Sequence, residues 1–161
     1  MKSVLISIQP KWCELIAFGK KTVEVRKTRP KLDVPFKVYI YCTSGKENLW
    51  VLRASERKYA PEKVASIFAA KDVGGAYRAN GKVIGEFVCN LITSGKRLYY
   101  WHISDLVIYD KPKELSEFAH TQEYINKIRN QVSHWEYGID DEVAKPIRRP
   151  PQSWCYVEGV N

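Results

Sequence analysis

Histidine, paired cysteine and long apolar runs are what this sequence has least of. Its three histidines, His102, His120 and His134, lie far apart, with no cysteine pair beside them. A zinc site needs ligands at set spacings, so no metal is expected, and nothing else points to a cofactor. Cys13, Cys42, Cys89 and Cys155 are scattered, with no Cys-x-x-Cys pair. They sit in apolar contexts and read as buried free thiols of a reducing cytoplasm. No apolar run approaches the roughly 20 residues that cross a bilayer, so no membrane partner is expected. The opening MKSVLISIQP is too short an apolar run for a secretory signal. The phosphate-binding Gly-x-x-x-x-Gly-Lys-Ser/Thr, the Gly-x-Ser-x-Gly elbow and His-Glu-x-x-His are all missing. Acid is scarce relative to base: 18 Asp and Glu face 26 Lys and Arg, a formal net charge of +8. That surplus favours polyanionic partners.

What is present is a globular composition, 45% hydrophobic and 27% charged over 161 residues. This is enough for one packed domain, residues 1–161, and no repeat or linker divides it. Residues 2–8 read as a strand with Val4, Ile6 and Ile8 on one face. Residues 36–42 alternate more clearly, with Phe36, Val38, Ile40 and Cys42 inward and Lys37, Tyr39 and Tyr41 outward. Asn80-Gly81 signals a tight reversal into a long strand over 82–92, where Gly85 marks a bulge or a close backbone approach. Residues 98–109 and 154–157 supply further strands. Between them, 49–79 reads as an insertion flanking the pocket, with a helix over 61–70 from Val64, Ile67 and Phe68. Residues 114–134 read as helical: a short helix after a turn at Pro112, then 121–134 with Tyr124, Ile125, Ile128 and Val132 along one face. Many short strands with few helices predict an α+β, mostly β domain whose strands close into a small barrel.

The chain is organised around residues 10–30, PKWCELIAFGKKTVEVRKTRP. Pro10 suits a first helical turn, where its missing N–H costs nothing. Trp12, Leu15 and Ile16 then fall on one side of a helix, and Gly19 stands where a left-handed cap wants glycine. The period then changes. Val23 and Val25 point one way, and Thr22, Glu24 and Arg26 the other. Lys20 and Lys21 stand at the mouth between helix and strand, and Lys27 follows. For an isolated charged strand the expectation is a solvated face with an ion pair.

The run Gly19-Lys20-Lys21-Thr22, leading into Glu24 and Arg26 with Pro10 and Trp12 upstream, resembles the signature of ASCH domains, a branch of the PUA-like superfamily. GKVIGEF at 81–87 is similar to a glycine-flanked barrel strand of that family. ISDLVIYDKPKELSEF at 103–118 and RPPQSWCYV at 149–157 agree with it. The resemblance implies a PUA-like barrel of five or six strands, with a cleft beside the first helix. It also implies a chemical alternative. Some small ASCH proteins are amidohydrolases that remove an acyl group from the N4 amine of modified cytidine, using a lysine, a threonine and a glutamate. Their lysine maps onto Lys21, but their threonine position is Glu24 here. Their acid has only Glu114 and Glu117 as positional candidates. A hydroxyl nucleophile needs an adjacent base, so a carboxylate in its place disfavours that mechanism.

The expected function is binding of RNA, or of a modified nucleobase in single-stranded nucleic acid, by a protein for which a monomer is the favoured state. Lys20, Lys21, Arg26 and Lys27 would contact phosphate, with Thr22 beside them. Glu24 would read a polar base edge, and Trp12 would wall the pocket. If the protein is instead a hydrolase, Lys21 and Glu24 are the catalytic candidates.

Overall fold

The computed structural model describes residues 1–52, 64–65, 76–131 and 146–160. Strand β1 (Lys2–Ile8) leads into α1 (Pro10–Ala17), β2 (Val23–Arg26) and β3 (Phe36–Cys42). Three short strands follow, β4 (Trp50–Leu52), β5 (Val64–Ala65) and β6 (Ala76–Arg78). The long hairpin of β7 (Val83–Ser94) and β8 (Tyr99–Lys113) comes next. A 3-10 turn at Leu115–Glu117, α2 (Gln122–Gln131) and β9 (Trp154–Glu158) complete the described elements. Six strands form one sheet in the order β2-β8-β7-β3-β1-β9, and β5-β4-β6 form a second. β1 and β3 are parallel, joined through α1, while the other pairings are antiparallel. This is a mostly β, α+β domain with a curled six-stranded half-barrel.

The curl has local causes. At Gly85 the register of β7 slips against both neighbouring strands, and a side chain there would collide with the carbonyl of Val107. Glycine therefore permits both the bulge and the close approach. Further slips follow between Glu86 and Val88 and between Cys89 and Leu91. Gly81, with φ +79°, makes the reversal from β6 into β7, and its N–H donates to Cys42 O. Among the described residues no backbone ladder joins the outer strands β2 and β9. Side chains span that seam: Trp154 Nε1 donates to Thr28 Oγ1 at 2.9 Å, and the Lys31 N–H donates to Tyr156 Oη at 2.7 Å. Trp154 also packs edge-on against Trp101, 5.8 Å between ring centres.

Both faces of the central strands are covered. The larger core joins Val4, Ile6, Ile8, Val38, Ile40 and Phe87 to Cys13 and Ile16 of α1. A second cluster lies behind, where Leu5, Tyr39, Tyr41 and Val83 meet Phe118, Ile147 and Val157. Tyr39 and Tyr41, expected outward, are therefore buried, Tyr39 at 1% exposure, because the chain after β8 returns over that face. Alternation in β3 located the strand but not a second apolar layer.

Three other expectations are corrected. Val64–Ala65 of the expected 61–70 helix form β5, paired with Trp50 and Val51; the remainder of that stretch lies outside the described residues. β8 does not stop at Tyr109 but runs through Pro112 to Lys113, and the expected short helix is a single 3-10 turn. The buried stripe of α1 is Pro10, Cys13, Ile16 and Ala17, while Trp12 is 42% exposed. Helix α2 is described to Gln131, with Ile125 buried and Tyr124 exposed. No described helix is long and apolar enough to cross a membrane.

Candidate functional site

The site is built by the turn between α1 and β2. Gly19 adopts φ +74°, ending the helix, and the N–H groups of Lys20 and Lys21 both return to Leu15 O. The chain then enters β2 against β8, with Glu24 opposite Trp101 and Arg26 opposite Tyr99. Directly opposed residues of an antiparallel pair share a face. Trp101 belongs to the main core, so Glu24 and Arg26 face inward and Val25 faces out, 39% exposed. The two faces of β2 were separated as expected, but the charged one is the buried one.

Inside, one carboxylate holds two cations. Arg26 Nε donates to Glu24 Oε1 at 3.1 Å, and Nη2 lies 3.0 Å from the same oxygen. Lys21 Nζ lies 3.3 Å from Oε2 and donates to Val23 O at 2.8 Å. The Glu24 side chain is 8% exposed and that of Lys21 19%. Arg26 is further tied across the barrel seam: Nη2 donates to Ser7 O at 2.8 Å, and Nη1 to Oγ and O of Ser153 at 3.1 and 3.4 Å. All three guanidinium nitrogens thereby donate within the protein. Ser7 Oγ in turn donates to Pro151 O at 2.6 Å, and the Ser7 N–H to Ser153 O at 2.9 Å.

Two cations on one carboxylate leave a net positive charge in a largely dry place, where electrostatic contacts are stronger than in bulk water. Oε2 of Glu24, although close to the Lys21 ammonium, accepts no hydrogen bond among the described residues. Trp101 Nε1, on the same face, has no partner there either. Buried polar groups are seldom left without a hydrogen-bond partner.

The remaining expected residues stand around this core. Lys20, Thr22 and Lys27 are exposed. Trp12 lies on the outer side of α1, with Lys11 Nζ 4.9 Å and Lys21 Nζ 5.4 Å from its ring centre. It therefore borders the triad through Lys21. Burial pushes the Cys13 thiol well above its usual range, with Cys42 and then Glu24 adding to the shift. Such a thiol is a packing group, not a nucleophile. Glu114 forms an ion pair with Lys82, and Glu117 accepts the Glu114 N–H at 2.6 Å; neither bonds the triad. Ser7 and Ser153 escaped sequence reasoning. Their contributions are a strand carbonyl and a loop hydroxyl with its carbonyl, neither of which carries a motif.

Two cavities open elsewhere on the surface. One, of about 310 Å³, lies between the start of α1 and the loop at 43–47. The other, of about 510 Å³, is lined by Leu32, Pro35, Phe36, Tyr39 and Val160 with Lys2 and Lys37 at its edge. Neither is lined by Lys21, Glu24 or Arg26.

A search of curated proteins and one of solved structures found no match. A family model of the ASCH domain matches residues 6–137. That span takes in α1, the turn at Gly19, all three members of the ion triad and the hairpin against which β2 pairs. On that coverage the chain belongs to the ASCH domain family, of PUA-like type.

Proposed function

We propose that this ASCH domain binds RNA, or a modified nucleobase within single-stranded nucleic acid, at the inward face of β2. The observation that carries the reading is Glu24 Oε2: buried, faced by an ammonium, and accepting no hydrogen bond among the described residues. An exocyclic amine or ring N–H of a base is a donor of the right kind for such an oxygen. Arg26 holds the other oxygen and is itself fixed by Ser7 and Ser153, so it orients Glu24 rather than touching phosphate. Lys21 is the more movable cation, being fixed only by Glu24 and one carbonyl. It covers Oε2, and an incoming amine would take its place while the ammonium turns to a phosphate. Lys20 and Lys27 are exposed on either side to receive the backbone. The link of the ASCH family with RNA binding supports the same reading.

The amidohydrolase reading is less well supported. Glu24 occupies the position of the threonine, and among the described residues no hydroxyl hydrogen-bonds Lys21 or Glu24.

Fluorescence anisotropy with labelled single-stranded RNA across a salt series tests the proposal. Binding should weaken with salt, and Glu24→Gln should lower affinity about tenfold or more, the scale of one hydrogen bond to a charged group. Wild-type affinity retained in both Glu24→Gln and Lys21→Ala would overturn it. Cytidine released from N4-acetylcytidine by the wild type and not by Lys21→Ala would favour the hydrolase instead.

A further inference from the structure

We infer that the nucleic-acid site extends across α1, with Trp12 as a stacking platform and the cavity at 43–47 as the seat of a flanking phosphate. This rests on the base-binding reading of Glu24. Contacts already in place form a chain. Glu24 pairs with Lys21, Lys21 lies over the Trp12 ring, Lys11 lies over the same ring, and Lys11 also lines the 310 Å³ cavity. Thr43, Ser44 and Lys46 also line the cavity, two hydroxyl residues and a second lysine, with Glu47 the one acid among its lining residues.

An exposed tryptophan flanked by two ammonium groups suits a partner that offers flat rings and negative charge in alternation. Single-stranded nucleic acid does so at every residue, because each base has a π-face and each link a phosphate. An acidic peptide matches the charge but not the ring. Trp12 is 42% exposed although an aromatic ring gains by burial, and a base would stack there as a lysine ammonium swings off the ring face toward phosphate. The ligand that fits the whole strip is therefore an oligonucleotide rather than a free nucleoside. The base at Glu24 is selected by hydrogen bonding, and its neighbour on Trp12 is held without regard to sequence.

The test compares single-stranded RNA from one nucleotide to about twenty, bracketing the roughly 4–16 nucleotides that small single-strand binders cover. Affinity should climb over the first few nucleotides and then level. Trp12→Ala should weaken the longer RNAs by roughly 5- to 150-fold, which corresponds to about 1–3 kcal/mol per lost stack. Trp12→Phe should recover part of that loss. Lys11→Ala with Lys46→Ala should reduce the slope of log affinity against log salt by about 0.7, the value for one lost phosphate contact on a single strand. Single-stranded DNA of matched sequence reports whether the ribose hydroxyl matters to the strip. If wild-type protein binds RNA but affinity is flat with length, or Trp12→Ala and the lysine pair leave it intact, the strip is wrong and the Glu24 site stands. If wild-type protein binds no nucleic acid of any length, the base-binding reading falls and the strip with it. An oligoglutamate peptide that binds through Trp12 while RNA does not would overturn the strip in favour of a protein partner.

Discussion

Single residues in this chain act by what surrounds them rather than by type. Glu24 and Glu114 are both glutamates paired with lysine, yet one is walled in by two strands and the other caps an exposed turn. Removing a charge from the first disturbs a dry network, whereas surface pairs like the second contribute little. His120 shows the same dependence on setting. Its ring stacks on Tyr124, 4.2 Å between centres, and partial burial lowers its affinity for a proton below the usual value near 6.5. The unfolded chain then binds a proton that the folded chain resists. The sign follows: above about pH 6.5 His120 contributes nothing, and stability falls as the pH drops below that value. Urea midpoints between about pH 7.5 and 5.5 should therefore decline, and His120→Gln should flatten the decline. An equal slope in the variant would place the proton uptake elsewhere.

At the scale of elements, the β7–β8 hairpin depends on two glycines with different obligations. A side chain at Gly85 meets the Val107 carbonyl and the Ile108 side chain, which are held by sheet pairing. At Gly95 it meets only the Tyr100 ring, which is partly exposed and can rotate away. Gly85→Ala should destabilise by about 1–3 kcal/mol through overpacking, and Gly95→Ala by clearly less. Chemical denaturation of the two variants side by side checks this, and equal losses would show that the close approach at Gly85 is not what matters. Gly85 was legible in the sequence because a lone glycine inside an alternating strand has few other reasons to be there. The burial of Tyr39 and Tyr41 was not legible, since the cover comes from Phe118, Ile147 and Val157, distant in the chain. The stripe of α1 was half legible: helical spacing permitted either Trp12 or Cys13 to face in, and packing against β3 chose Cys13.

For the whole molecule, the open question of a half-barrel is what holds its free edges together. Here β2 and β9 lack a shared ladder among the described residues, and the Arg26 guanidinium reaches from one edge to Ser7 and Ser153 beside the other. Arginine suits this because its planar fork serves several acceptors at fixed angles, which an ammonium cannot. Arg26→Ala should cost about 3–5 kcal/mol, as expected when one partner of a buried pair is removed. Arg26→Lys should cost less but still more than 1 kcal/mol, roughly one lost hydrogen bond or more. Denaturant unfolding measures both, and a neutral Arg26→Lys would mean that charge alone, without the fork, secures the seam. The same residue thus serves closure and, through Glu24, the proposed recognition of a base.

The sequence by itself determined the strands of the six-stranded sheet, the stop at Gly19, the alternation of β2 and the ASCH family, because these reside in local spacing and in a short motif. It also placed Lys21, Glu24 and Arg26 within a few residues of one another. Only the tertiary structure decided which face of β2 is inward. Period two is the same whether the charged side faces water or the core, and the difference lies in Trp101 and Ser153, contributed from far along the chain. Local pattern sets the two sides of a strand apart, but contacts remote in sequence decide which of them is kept from water.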